Sequence, residues 1–192
     1  GIDAAEIIDL QSKDISLEGG LVITMASLMI PRKNVQPCLR AFRALVDQGV
    51  RLTVHLYGDG PLSAAITRDI EQLGLTRVVR QYGFTPRAEV LNAMRASHLF
   101  LMPSVQETFG LVYLEAMASG CVVIGHQGWG IDGVVEEGVN GYLVAAPTEA
   151  EIESKIQTYL AAQDREALHR ESVKVANVNT RDSAVKNYRM LV

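Results

Sequence analysis

Residues 98–125 read His-Leu-Phe-Leu-Met-Pro-Ser-Val-Gln-Glu-Thr-Phe-Gly-Leu-Val-Tyr-Leu-Glu-Ala-Met-Ala-Ser-Gly-Cys-Val-Val-Ile-Gly. A strand-length apolar run (98–102) enters a polar loop (103–108), then a stretch with helical composition (109–119), and after Gly120 a second strand-length run (122–125). Two strands joined through a helix pair in parallel, so this stretch predicts a parallel sheet covered by helices. Between Phe109 and Gly125 there is one charge, Glu115, where a core-facing helix should be apolar. An ionised carboxylate taken out of water needs a partner, so Glu115 is the first candidate for ligand binding.

The same alternation extends in both directions, punctuated by Gly, Pro, Asp and Asn. Strands are expected over 21–26, 51–57, 78–82 and 141–144. Asn34 is expected to cap a helix with Val35, Leu39, Phe42, Leu45 and Val46 on its apolar face, ending at Gly49. A second helix spans 62–73, closed by Gly74. Thr85 as N-cap with Pro86 at the first helical position opens a third over 86–96. A short helical turn is expected around 132–136, and helices over 149–162, 165–178 and 182–191. The fold class is therefore α/β, Rossmann-like, with a mostly parallel six-stranded sheet and helices on both faces. Ligands bind such sheets beyond the carboxyl ends of the strands, which here means the loops 29–34, 58–61, 83–85, 103–108 and 126–130.

The chain has 192 residues, 48% of them hydrophobic, which suits one well-cored domain and is short for two. Its 22 acidic and 18 basic residues give a net charge of −4 and no basic stripe, which argues against a nucleic-acid partner. No apolar run reaches membrane-spanning length, and no basic-then-apolar signal opens the chain. Cys38 and Cys121 lack metal-type spacing and read as small buried residues in a reducing, cytoplasmic compartment. The four histidines are scattered, two of them inside expected strands, where a structural role fits better than catalysis.

The loop 103–108 carries the chemistry. With Thr108 as cap, the free amides of Phe109, Gly110 and Leu111 form a cradle for an anion or a hydroxyl, with the positive end of the helix dipole behind them. Gly110 allows close approach, and Glu107 can accept hydrogen bonds from a polyhydroxylated group. Glu115 suits a grip on vicinal hydroxyls such as those of a ribose. Among 22 acidic residues, two glutamates eight apart carry little weight by spacing; their location carries it. Gly58-Asp59-Gly60-Pro61 reads by itself as a tight turn rather than a phosphate loop. Lys33 lies where it can reach a diphosphate, although taken alone it reads as a solvated lysine beside Arg32. Phe84 either offers its backbone to a base or belongs to the core.

Pro103-Ser104, Glu107, Phe109-Gly110-Leu111, Glu115-Ala116-Met117-Ala118, Gly120, Val123-Ile124 and Asn140-Gly141-Tyr142-Leu143-Val144 together resemble the nucleotide-sugar-binding, C-terminal half of the family 4 retaining glycosyltransferases (glycosyl transferases group 1), which have the two-domain GT-B fold. Pro31-Arg32-Lys33-Asn34, Gly58-Asp59-Gly60-Pro61, Leu73-Gly74-Leu75 and Gly83-Phe84 follow in the family's order. The resemblance implies that Glu115 holds the donor ribose and Glu107 contacts the transferred sugar. It also implies that the amides of Phe109, Gly110 and Leu111 meet sugar hydroxyls and phosphate, that Lys33 neutralises the diphosphate, and that the backbone near Phe84 holds the base. It implies a metal-independent reaction with no cofactor, a UDP-, GDP- or ADP-linked donor, and a glycan or lipid-linked acceptor. By the same resemblance the acceptor belongs to an N-terminal domain absent here, so this chain alone is expected to transfer little. Residues 1–20 then form a hinge or lead-in, 21–180 the binding domain, and 181–192 a helix turned toward the absent domain. Peripheral association with the inner membrane face is implied for the longer enzyme.

One departure stands out: the family's usual arginine after the first strand is missing from 24–30, leaving Arg32 as the nearest substitute. Two rival readings remain. A dehydrogenase-like dinucleotide domain lacks its Gly-x-Gly-x-x-Gly here, whereas a noncatalytic relic of a transferase is compatible with the lost arginine.

Overall fold

The computed structural model describes residues 2–108 and 110–180. Six parallel strands, β1 (Leu21–Ala26), β2 (Leu52–Tyr57), β3 (Val79–Gly83), β4 (Leu99–Leu101), β5 (Val122–His126) and β6 (Gly141–Val144), form one sheet in the order β3-β2-β1-β4-β5-β6. The helices are α1 (Val35–Asp47), α2 (Ser63–Gln72), α3 (Arg87–Arg95), α4 (Leu111–Ala118), α5 (Glu149–Ala161) and α6 (Arg165–Val178). Helices α1, α2 and α5 pack together, as do α3, α4 and α6. Two apolar clusters result, one holding Leu39, Phe42, Leu45, Val54 and Ile156, the other Met94, Phe100, Leu114, Met117 and Val123. The first residues of α1 show why: Val35, Cys38, Leu39, Phe42 and Leu45 recur at helical spacing and are buried, each large one contributing about 2 kcal/mol by burial.

Strands β4 and β5 are buried at every position, as a strand covered on both faces must be, and β1 at four of its six. The chain order reverses between β1 and β4, so the loops that follow these two strands diverge and leave a crevice between them.

Several helix starts differ from expectation. Asn34 does precede α1, but it adopts a left-handed conformation with φ 55° and makes no side-chain cap. Its amide instead donates to Pro103 O at 2.8 Å and Arg32 O at 3.2 Å, tying the β1 loop to the β4 loop. Pro86, not Thr85, is the N-cap of α3; the Thr85 hydroxyl turns back to Gly83 O at 3.3 Å. Residues 132–136 form no helix; Asp132 pairs with Val135 in an isolated bridge, because Gly133, with φ 85°, leaves the helical region. The helix expected over 182–191 lies outside the described residues, as does Gly1.

Residues 2–13 pack against α3, α4 and the end of the described chain. Ile2 bridges to Thr180, Ile8 N donates to Ala118 O at 2.8 Å, and the buried Lys13 ammonium donates to Met94 O, Arg95 O and Ser119 O at 3.2, 2.9 and 3.2 Å. Those carbonyls close α3 and α4, where a cation is favoured by the helix dipoles. Burial lowers the Lys13 pKa, and nearby Cys121 opposes that shift.

His98 and His169 complete this buried polar layer. Val22 N donates to His98 Nδ1 at 3.0 Å, and His98 Nε2 lies 3.0 Å from Ser16 O, which fixes a neutral ring. His169 lies between Gly120 O at 2.7 Å and the Tyr159 hydroxyl at 2.9 Å. Burial pushes its pKa down to about 4. A histidine with a depressed folded pKa is stabilising when neutral: the contribution is full above the unfolded value near 6.5 and is lost as pH falls through the folded value. His169 alone should therefore remove about 3 kcal/mol of stability between neutral pH and about pH 4. Urea melts at both pH values should show His169→Gln losing distinctly less stability on acidification than the parent chain; equal losses would refute the assignment.

Candidate functional site

The Lys33 and Glu107 side chains meet in the crevice between β1 and β4. Lys33 ends a 3-10 turn (Pro31–Lys33) and is buried, and its Nζ pairs with Glu107 Oε2 and lies 3.9 Å from Met102 Sδ. Ser104 Oγ reaches the same carboxylate at 3.4 Å. Burial pushes Glu107 toward the protonated form, but Lys33, with help from Arg32 and Ser104, wins and holds its pKa below the ordinary carboxylate range. Arg32 donates Nη1 to Gln106 O at 2.9 Å, while its own carbonyl accepts from Val105 N at 2.9 Å. The two loops are thus laced together, and two cations face one carboxylate.

Helix α4 begins later than expected. Thr108 is exposed and is not the cap; Gly110 is, with φ 48°. A Cβ on Gly110 would lie 2.5 Å from Cδ2 of Tyr113, so both the backbone angle and the neighbouring ring require glycine. Leu111 opens the helix and is exposed. Its amide and the next lie at the positive end of the dipole. Phe109 lies outside the described residues.

Tyr113 is a residue that the sequence reading missed. Fully buried, it donates its hydroxyl to Met102 O at the end of β4, and it meets Phe100 edge-on at 5.7 Å. Its ring limits Gly110, where an added Cβ would stand 2.5 Å away, whereas Gly125 and Gly130 are limited by Ile131 and Glu107, at 2.4 and 2.8 Å. The signal was a glycine three residues before an aromatic, Gly110 and Tyr113, and its meaning is visible only once the chain is folded. Tyr113 sets the height of the α4 terminus over the sheet.

Two clefts flank the crevice. One, of about 680 Å³, lies between the β4 and β5 loops, lined by Glu107, Thr108, Trp129 and Asp132 among others. Its walls are joined by Gly130 N donating to Glu107 O at 2.8 Å. The other, of about 230 Å³, lies over β1, β2 and β3, lined by Ser27, Tyr57, Gly58, Asp59, Phe84 and Thr85. Phe84 is 88% exposed, so it belongs to the cleft wall and not to the core. Gly58 is not a free phosphate donor: its N–H goes to Gly83 O at 2.8 Å. A larger groove, about 780 Å³, runs along the β3 edge beside His55, Arg80 and Tyr82. It lies away from the crevice and holds none of the candidate residues.

Glu115 is half-buried rather than enclosed, and it already has a protein partner, Arg87 Nε at 2.7 Å. Its isolation in sequence is therefore resolved by α3, a cation that the apolar run concealed. Cys38 and Cys121 are buried thiols whose pKa values are pushed up by burial, Cys121 to about 11. Among the described residues no group of three or more His, Cys, Asp or Glu side chains is placed to hold a metal, and no helix is long and apolar enough to cross a membrane.

Comparisons with known proteins bear on the fold and the family. A 2-deoxystreptamine glucosyltransferase of Streptomyces kanamyceticus is 34% identical over 130 residues, covering 68% of this chain and 33% of the relative. An Anabaena protein, HepE, solved in complex with UDP, superposes over 91% of this chain and 48% of its own with a TM-score of 0.76 and 25% identity. The C-terminal domain of a Francisella tularensis group 1 glycosyl transferase, LpcC, matches over 93% of this chain and 98% of its own at a TM-score of 0.79 and 20% identity. The chain spans about a third of the length of the first curated relatives it matches. The fold is that of GT-B glycosyltransferase domains. The model of the family described as "Glycosyl transferases group 1" matches residues 8–175, most of the chain, and the protein belongs to that family.

Proposed function

We propose that this chain is the donor-binding domain of a retaining glycosyltransferase, which moves a hexosyl group from a nucleoside diphosphate sugar to a glycan or lipid-linked acceptor. The observation that carries this reading is the buried Lys33–Glu107 pair in the β1/β4 crevice, with Arg32 beside it and the α4 terminus at its edge. A diphosphate laid in that crevice meets Lys33 and the helix terminus, while Glu107 faces the sugar. Transfer breaks the bond between the anomeric carbon and the diphosphate and joins that carbon to an acceptor oxygen on the same face, the departing phosphate oxygen taking up the acceptor's hydroxyl proton. Negative charge grows on the departing diphosphate, and fixed cations and amides aimed there lower the barrier. These groups serve in place of a metal or cofactor. The cleft beside Phe84 takes the base, and Glu115 takes the ribose. The UDP bound to HepE supports a nucleotide in this fold, and the glucosyltransferase of Streptomyces kanamyceticus supports a hexose.

The acceptor is assigned to sequence that this chain lacks, and the longer enzyme to the cytoplasm, at the inner membrane face. Purified chain supplied with donor and acceptor should then show little or no transfer; robust turnover would refute this division of labour.

Titration with UDP-glucose, GDP-mannose and ADP-glucose tests the donor assignment. Glu115→Ala should weaken the donor that binds by about tenfold to a hundredfold, the range expected for hydrogen bonds to a charged group. Unchanged affinity would remove Glu115 from the site. The noncatalytic reading keeps one observation, the missing arginine in 24–30, and silence toward all three donors would favour it. Binding of NAD alone would favour the dehydrogenase reading.

A further inference from the structure

Arg87 joins three separate parts of the chain. Its Nε donates to Glu115 Oε1 at 2.7 Å, while Nη1 and Nη2 fork onto Glu6 Oε1 and Oε2 at 2.6 and 2.9 Å. Glu6 belongs to a 3-10 turn (Ala4–Glu6) in the lead-in, Arg87 is the first residue of α3, and Glu115 lies in α4. The turn is itself fixed: Asp3 and Glu6 form a reciprocal capping box, and Ile8 N donates to Ala118 O at the end of α4.

A guanidinium held bidentate through its two terminal nitrogens has little rotational freedom left, so its Nε–H points in one direction. Here that direction is Glu115. Only Oε1 of Glu115 is engaged in a hydrogen bond among the described residues, which leaves Oε2 for another donor. Arg87 is half exposed, with a side-chain exposure of 52%, so the triad adds little to stability. Its consequence is orientation. Lysine would keep the charge but lose the fork.

We infer that Arg87 is a positioning residue for the donor: clamped by Glu6, it fixes one oxygen of Glu115, presents the other to the ribose hydroxyls, and so couples donor binding to the lead-in. This rests on the ribose assignment of Glu115 made above.

The test is calorimetric titration of the 192-residue chain with UDP, GDP or ADP, whichever the wild type binds, alongside thermal melts. Arg87→Met and Arg87→Lys should each weaken binding about three- to tenfold, the scale of coupled charges at a partly exposed site, with melting temperature unchanged. Glu6→Gln should weaken it in the same direction. In a Glu115→Ala background, Arg87→Met should have no further effect. Affinity unchanged or tightened by Arg87→Met, or full additivity with Glu115→Ala, overturns the positioning role. An unchanged Glu6→Gln overturns the link to the lead-in. If Glu115→Ala abolishes binding while Arg87→Met does not alter it, the ribose assignment stands and this inference falls. If the wild type binds none of the three nucleotides, the donor reading falls and takes this one with it.

Discussion

Replacing Lys33 by methionine is expected to weaken nucleoside diphosphate binding by about a thousandfold, because two effects act in the same direction. The substitution removes a buried cation aimed into the crevice, and it leaves the Glu107 carboxylate unneutralised where the diphosphate must lie. Glu107→Gln should behave oppositely toward UDP. It frees Lys33 from its partner, so UDP should bind at least as tightly as in the parent chain, while sugar transfer by a longer enzyme carrying the change should fail. The double variant separates electrostatics from misfolding, since it buries neither charge: its UDP affinity should lie between the two single variants. Isothermal titration at two salt concentrations checks this. If Lys33→Met binds UDP like the parent chain, the diphosphate does not lie in the β1/β4 crevice and the proposed site is wrong.

The same pair shows what a sequence can and cannot disclose. Lys33 beside Arg32 looks like a solvated surface pair, and nothing local distinguishes it. It becomes buried only because β1 and β4 are neighbours in the sheet although 72 residues of chain and two other strands lie between Ala26 and Leu99. The strands were legible because β1, β4 and β5 carry apolar runs and β2 alternates, and α6 (Arg165–Val178) matches its expected bounds because Asp164 caps it locally, accepting from Ala167 N at 2.8 Å. The α4 start was misread for the opposite reason. Thr108 is a good cap by residue type, but the packing of Tyr113 against Gly110 decides where the helix begins. Arg87 was overlooked in the same way: an exposed arginine following proline has no visible target until α3 and α4 are packed together.

Gly58→Ala should destabilise the chain by more than about 4 kcal/mol and abolish donor binding as a consequence of unfolding the crevice. Gly58 has φ 113°, and a Cβ there would stand 1.9 Å from the carbonyl oxygen of Ser27 and 2.9 Å from its carbon. These are backbone atoms at the end of β1, so no side-chain rotation can relieve the overlap. Relief requires the β1 and β2 loops to separate, which breaks the bonds from Ser27 N to Tyr57 O at 3.1 Å and from Met29 N to Asp59 O at 3.0 Å. Gly49→Ala provides the control. It also has a positive φ, 85°, but nothing lies within 4 Å of its added Cβ, so only the backbone penalty of about 1 kcal/mol applies. The comparison isolates close approach from conformational preference. If both variants lose the same stability in urea melts, Gly58 is needed for its backbone angle alone. If Gly58→Ala loses far more, the glycine after β2 exists to let three strand ends converge beneath the proposed base cleft, and its phosphate-loop appearance in sequence is incidental.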